Sequence, residues 1–491
     1  MVLGTTSGAG KSWLATALCR WYARQGLKVA PFKAQNMSNN ARVVAGGEIG
    51  SAQYFQALAA RAEPDVRMNP LLLKPESDTH SQVVLLGRVD EGLSRMPWQG
   101  RGEKVWPVIA RALDELRAEN DVVVIEGAGS PAEINLKAGD IVNMRVARHA
   151  GARCLVVTDI DRGGAFAHLY GTWALLDEAE RRLIDGFVLN KFRGDASLLE
   201  PGPRMLQDLT GIPTVATLPM WRQHGLPDED GVLDERSSMG GALHRTIAIV
   251  AYPRISNLDE FQPLRNIPGV RLVWARSPAD VARADWIILP GSKHTSADLA
   301  WLRSQALDRA IAGHAQRGGA VLGVCGGLQM LGEALVDTRG IDGNGPGLGL
   351  LPLVTVFEPE KLVTPTSARF GELAGPWAPL SRVEVAGYEI HQGRTSQHAG
   401  MAPARCAMAG GLAWQNEAGN VLGVYLHGLF EQPAVLQALF GATAPTLESV
   451  FDGLAAFIDR HFVPGVIPDL IRDPRRRPGF RVEPGTTPPL G

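Results

Sequence analysis

Two α/β units built on largely parallel sheets are predicted by three features of the chain. Short apolar runs alternate with helical patterns along nearly all of it. GTTSGAGKS, from Gly4 to Ser12, places a glycine-rich turn between the first apolar residues and the first helical pattern. Far downstream, GVCGGLQMLG, from Gly323 to Gly332, sets a cysteine between an apolar run and another helical pattern. At 491 residues the chain exceeds what one core ordinarily fills, so at least two domains are expected.

The first unit is expected over residues 1–236. Leu27 to Phe32, Val122 to Glu126, Leu155 to Asp159, Phe187 to Asn190 and Val215 to Leu218 are continuous apolar runs. Such runs suit strands covered on both faces of a parallel sheet. Lys11 to Arg24 and Val105 to Ala118 supply helices between them. An acidic and then Ser/Met/Gly-rich stretch follows, and 237–245 is expected to be a linker. The second unit, 246–463, opens with IAIVAY after Thr246. Val270 to Trp274, Trp286 to Leu289, Ala320 to Val324 and Val421 to Tyr425 are its strands, and Leu447 to His461 its last helix. Residues 464–491 are rich in Pro, Gly and Arg without periodicity and are expected to be a disordered tail. No internal repeat is found.

Composition narrows the function classes. Hydrophobic residues at 45% and charged residues at 20% supply packed cores and a polar surface. A net charge of −2 offers no basic field, so nucleic acid is not an expected partner. No apolar run approaches the roughly 20 residues that span a bilayer, so a membrane is not expected either. Met1 to Gly4 runs straight into the glycine-rich turn, so no signal peptide is expected. Cys19, Cys154, Cys325 and Cys406 are scattered with no CxxC pair. That points to a reducing, cytoplasmic setting and away from disulfides or zinc.

The turn at Gly4, Gly8 and Gly10 lets several backbone N–H groups converge on phosphate oxygens at a helix N-terminus. Lys11 would reach the β- and γ-phosphates, and Ser12 would hold Mg²⁺. The strict G-x-x-x-x-G-K-S spacing fails by one residue, because Thr5 occupies its first position. Glu126 ends an apolar strand, where ligands sit in open α/β sheets, and is the candidate metal carboxylate. Asp159 and Asp161, followed by Arg162, end another strand, and Asp140 lies in GDIVNM. For these aspartates, turn or capping duty competes with catalysis. Asn190, beside Lys191 at a fourth strand end, could read an adenine edge.

Cys325 sits on a strand-turn-helix elbow framed by Gly323, Gly326 and Gly327. That geometry projects a nucleophile and brings backbone N–H groups to an oxyanion. A thiol needs an activating base. His427 ends the apolar run GVYL and is preferred; His391 in GYEIHQGRT is the rival. Gly291 and Ser292, in the turn LPGSKH, would supply a second oxyanion donor. The other three cysteines read as small buried apolar side chains. A phosphate loop and an elbow cysteine together suggest an enzyme that frees ammonia from an amide and uses ATP to install it elsewhere.

GTTSGAGKS, APFKAQNMSNN, GGEIGSAQ, MNPLLLKPESD, IEGAGSPAEINL, DIVNM, TDIDRGGAFA, LNKFRGD, LPGSKHTSADL, GVCGGLQMLG, GYEIHQGRT and VYLHGLFE occur in that order from residue 2 to about 462. On these stretches the chain resembles the cobyric acid synthase family, glutamine-dependent amidotransferases of cobalamin synthesis. The resemblance implies a dethiobiotin synthetase-like P-loop NTPase-type domain followed by a class I glutamine amidotransferase-like α/β domain. It implies ATP and Mg²⁺ as cofactors and glutamine as amido donor. The implied corrinoid substrate is adenosylcobyrinic acid a,c-diamide, amidated on its b, d, e and g carboxylates to adenosylcobyric acid. It also carries a cysteine–histidine pair onto Cys325 and His427.

Related glutaminases keep a glutamate two residues after the histidine, where this chain has Leu429. The group that orients His427 is therefore left open. Gly8, Ser51 and His294 depart from the Asp, Arg and Asn usual in the family. Ser51 in place of Arg removes a cation that would meet a corrinoid carboxylate. Two other function classes compete. A sister enzyme, cobyrinic or hydrogenobyrinic acid a,c-diamide synthase, has the same domain types. A P-loop ATPase switch has a similar loop but no use for an elbow cysteine and its histidine.

Overall fold

The strand Val2–Gly4 lies inside a parallel sheet and delivers the phosphate loop at its carboxyl end. On one side it pairs with Cys154–Asp159, which pairs in turn with Ile184–Phe192 and then Thr214–Pro219. On the other side, a bridge from Val2 to Glu126 joins it to the parallel pair Val122–Ile125 and Val29–Phe32. The computed structural model describes residues 1–491 apart from 77–78, 98–99, 223, 228–243, 399, 402, 443–444 and 473–491. Every strand of this sheet is almost wholly buried, as its Val/Ile/Leu-rich runs require of strands covered on both faces. Gly4, Glu126, Asp159 and Asn190 stand at or near neighbouring carboxyl ends, and that places the predicted ligands on one rim.

Beside this rim lies a hairpin, Ala41–Val44 with Gly47–Gly50, leading into the helix Ser51–Ala59. The second unit is a seven-stranded sheet. Val270–Ala275, Arg245–Val250, Trp286–Leu289, Ala320–Val324 and Val421–Val424 run parallel, followed by antiparallel Ala413–Gln415 and Arg405–Met408. An antiparallel ribbon, Leu362–Arg369 with Glu384–His391, reaches back toward the hairpin of the first unit. There Lys361 pairs with buried Glu48 at 2.6 Å, and Glu48 also pairs with Lys74 at 2.5 Å. The two units therefore meet through buried charge.

Two expectations are corrected. The helix Leu447–His461 forms as predicted, yet it packs on the first unit and not the second. Val450, Phe451, Leu454 and Ile458 share one core with Leu14, Leu18 and Tyr22 of the helix Lys11–Arg24. The buried Arg20 guanidinium fixes the pairing through Glu448 at 2.6 Å and Asp452 at 2.8 Å. The expected tail is also ordered at its start. Val466–Asp469 is a short helix with Val466 and Ile467 buried, and the Tyr22 hydroxyl donates to Ile467 O at 2.8 Å. Too short and too interrupted by Pro and Gly to show periodicity, this segment still carries enough apolar side chains to dock. Residues 473–491 of the expected tail, and 237–243 of the expected linker, lie outside the described residues.

Candidate functional site

Glycines shape the phosphate loop, and Gly10 is the one with least tolerance. Gly10 has φ of 102°, and a Cβ there would sit 2.1 Å from Nδ2 of Asn190. A Cβ on Gly4 would meet the aliphatic stem of Lys11 at 2.9 Å. Lys11 crosses the loop to donate to Thr6 O at 3.0 Å and Gly129 O at 3.2 Å. Gly8 has φ of 71° and open space at its Cβ position, so its need is conformational only.

Glu126 is fully buried and gathers the site around it. Ser12 Oγ donates to its Oε1 at 2.7 Å, Lys33 Nζ to the same oxygen at 2.9 Å, and Gln56 Nε2 to Oε2 at 2.6 Å. Burial alone would raise its pKa, but the Lys33 charge and these hydrogen bonds hold it below the usual carboxylate range. It is thus an anion ready for a cation. Ser12 and Glu126 are adjacent hard oxygen donors, the kind of set Mg²⁺ takes together with phosphate oxygens. Among the described residues no group of three or more His, Cys, Asp or Glu could hold a metal by itself.

The other predicted residues of this half divide by what they touch. Asp159 accepts from Lys191 Nζ at 2.9 Å, and Lys191 also donates to Gly8 O at 2.8 Å, so Asp159 reaches the loop through that lysine. Arg162 lies 3.6 Å from Asp159, while Asp161 pairs with Arg193. Asn190 donates to Ala9 O at 2.9 Å and accepts from the Lys191 N–H at 2.9 Å. Both ends of its amide are tied to main chain, so in this conformation it shapes the loop. Asp140 accepts four backbone N–H groups, from Val142 to Arg145, at 2.7–3.2 Å. That is capping duty. It also sets Asn143, whose side chain bonds the backbone of Ala128 and Ser130 beyond Glu126. Ser51 is 1% exposed and opens the helix that carries Gln56.

Across the molecule, Cys325 occupies φ 52°, ψ −107°, a strained backbone for a residue with a Cβ. The glycines around it are there for close approach. A Cβ on Gly327 would fall 1.9 Å from Leu289 O, one on Gly326 would fall 2.9 Å from Ser292 N, and one on Gly323 would crowd Gly327. The elbow is thereby pressed onto the 289–292 turn, next to the predicted second oxyanion donor. The Cys325 N–H donates to Val424 O at 2.7 Å, which ties the elbow to the strand leading to His427.

His427 is 1% exposed and lies near Cys325, whose Sγ donates to Ile390 O at 3.5 Å. Its Nδ1 lies 3.0 Å from Glu260 Oε1, while Glu260 Oε2 accepts the Gly428 N–H at 3.0 Å. Burial opposes a charge on the ring, but the Glu260 carboxylate, which also hydrogen-bonds it, and the neighbouring Cys325 push its pKa up to about 10. Held so firmly as an imidazolium at neutral pH, the ring is placed to give its proton to a leaving amine. His391 is placed differently. Its Nδ1 meets Gly393 O at 3.2 Å and its Nε2 meets Glu389 at 3.1 Å, which uses both nitrogens.

Sequence reasoning missed Glu260, Lys33 and Gln56. Lys33 and Gln56 lie in or beside motifs that are legible as motifs, KAQNM and GGEIGSAQ. Glu260, in ISNLDEF, follows no motif or periodicity that ties it to a histidine far along the chain.

Residues 1–223 match the CobQ/CobB/MinD/ParA nucleotide binding domain, and 246–435 match the CobB/CobQ-like glutamine amidotransferase domain. The second match ends before the helix that returns to the first unit. The cobyric acid synthase of Variovorax paradoxus is 77% identical over 472 residues, covering 96% of this chain and 98% of that protein. That of a Polaromonas species is 74% identical over 498 residues, covering 96% and 98%. That of Leptothrix cholodnii is 66% identical over 504 residues, covering 98% of each.

Proposed function

This chain belongs to the cobyric acid synthase family, enzymes of glutamine-dependent amidation in cobalamin biosynthesis, and from that membership we propose its substrate and the work of its residues. The substrate is adenosylcobyrinic acid a,c-diamide, amidated at the b, d, e and g carboxylates to give adenosylcobyric acid. Glutamine supplies the nitrogen and ATP the driving force.

In the second unit, Cys325 Sγ, its proton already resting on the His427 ring, attacks the glutamine side-chain amide. The imidazolium returns that proton to the leaving ammonia, and a glutamyl thioester remains on Cys325. Water, deprotonated by His427, hydrolyses the thioester to glutamate. Glu260 holds the ring in the tautomer and orientation these transfers need. The N–H groups around Gly326 and Ser292 face the developing oxyanion.

In the first unit, a corrinoid carboxylate takes the γ-phosphate of ATP, and ammonia then displaces phosphate from the resulting acyl phosphate. The loop amides and Lys11 position and neutralise the phosphates. Mg²⁺ held by Ser12 and Glu126 would add charge neutralisation. Lys33 and Gln56 keep Glu126 ionised and aimed.

One observation carries the reading: a Ser12–Glu126 pair at a phosphate loop and a Cys325–His427–Glu260 arrangement share one chain. The test is incubation with ATP, glutamine and adenosylcobyrinic acid a,c-diamide, followed by mass spectrometry. Stepwise gain of four amides is expected. Amidation of cobyrinic acid at a and c, with no reaction on the a,c-diamide, would transfer the assignment to the sister enzyme.

A further inference from the structure

Two carboxylates that flank the Glu260–His427 pair, Asp259 and Glu431, are held by a residue of the other unit. Arg42, on the hairpin strand Ala41–Val44, is 2% exposed in its side chain, and its guanidinium lies between two carboxylates of the second unit. Nε donates to Asp259 Oδ2 at 3.0 Å, and Nη2 bonds the same oxygen. Nη1 donates to Glu431 Oε2 at 2.9 Å and Nη2 to Glu431 Oε1 at 2.5 Å, a two-pronged contact. The plane also sits over Tyr54, Phe55 and Tyr388, with centroids 5.0–5.6 Å away.

Three of these contacts, with Asp259, Glu431 and Tyr388, lead to His427 by a short path. Asp259 is the peptide neighbour of Glu260, in the same turn. Glu431 closes the turn that begins at Gly428, through its N–H to Gly428 O at 3.1 Å. Tyr388 stacks on the His427 ring at 5.3 Å and 18°, and its backbone O accepts the His427 N–H at 2.9 Å. Two further bonds lock the hairpin to the Glu260 turn: Ala41 N–H to Asn257 Oδ1 at 3.1 Å, and Leu258 N–H to Asn40 Oδ1 at 3.0 Å.

We propose that Arg42 is a positioning residue for the glutaminase, supplied by the amide-synthase unit, which sets the Glu260–His427 pair by neutralising Asp259 and Glu431 on either side of it. The electrostatic reason is direct. Asp259 and Glu260 are buried and Glu431 is partly buried, 23% exposed, on the turns around one imidazole, and Arg42 is the cation that compensates the two that His427 does not. Without it, buried like charges would repel and the turns carrying Glu260 and Gly428 would part. The same hairpin leads on through Ser51, whose N–H donates to Asn40 O at 3.1 Å, into the helix whose Gln56 grips Glu126. Glutamine hydrolysis is thereby made dependent on the docked synthase unit.

The proposal rests on the glutaminase assignment above, and its test separates the two. In the full-length chain, Arg42→Lys keeps the charge but loses the two-pronged contact. Its kcat for glutamine hydrolysis should fall on the order of tenfold to a hundredfold, as small misplacement of a catalytic group does. KM for glutamine and synthesis from ammonium chloride should change little. Glu431→Gln should lower the same kcat. Wild-type enzyme without glutaminase activity would sink the assignment itself. Unchanged hydrolysis in Arg42→Lys, or equal loss with glutamine and ammonium, would sink only the role of Arg42. If Arg42→Lys does not fold, the Glu431→Gln measurement decides on the same criteria.

Discussion

Glu260 Oε1 stands 3.0 Å from His427 Nδ1, each side chain about 1% exposed, although the two residues are far apart in the chain. Position 429, where related glutaminases carry an acid, is the buried Leu429. In this chain the acid beside the histidine comes from a different turn, Leu258–Phe261.

Glu260→Gln should therefore lower glutamine-dependent turnover by about 10²-fold or more, since an amide can present its N–H to Nδ1 and stabilise the wrong tautomer. Synthesis from ammonium should survive, as it should in Cys325→Ser. Steady-state rates with each nitrogen source decide this. Loss of both activities in a folded Glu260 variant would mean the pair is structural.

The same pair makes stability depend on pH. His427 is raised from the usual 6.5 to about 10 in the fold, so the native state binds its proton more tightly than the unfolded chain. That stabilisation is fully present below about pH 6.5 and is lost as pH rises through about 10. Melting temperature should fall more steeply from pH 7 to 10 in the wild type than in His427→Gln. Parallel curves would show that the ring is not held as an imidazolium.

Lys11→Ala and Glu126→Gln should each remove synthesis from either nitrogen source, on the order of 10²- to 10³-fold, because both act on the phosphoryl half. Glutamine hydrolysis alone should remain measurable. A Glu126→Gln enzyme with near-normal ammonium-dependent rate would assign the metal to another carboxylate.

The parts legible in the sequence are those whose cause is local. Gly4, Glu126, Asp159 and Asn190 stand out because buried parallel strands are apolar runs that end abruptly in polar residues. Cys325 stands out because its strained backbone can be reached only with glycines packed against a neighbouring turn. Glu260, Arg42 and Lys33 act through contacts between distant segments, which no periodicity records. Helix Leu447–His461 falls between the two: its amphipathic pattern announces that something covers one face, but not which unit does.

That helix and the segment after it supply the last prediction. Ending the chain at Pro464 would remove Val466 and Ile467, 2% and 3% exposed, and leave the Tyr22 hydroxyl without its acceptor. Burying such side chains contributes about 1.5–3 kcal/mol each. At about 2–4 °C per kcal/mol for a domain of 150–250 residues, the melting temperature should drop by at least about 5 °C. A full-length Val466→Ala, Ile467→Ala variant should show a smaller drop of the same sign. Because Tyr22 lies on the helix that begins at the phosphate loop, ammonium-dependent synthesis should be inactivated by heat earlier than in the wild type. Glutamine hydrolysis, seated on the other sheet, should lose less. An unchanged melting temperature, or equal heat sensitivity of both activities, would show that these residues do not brace the loop helix.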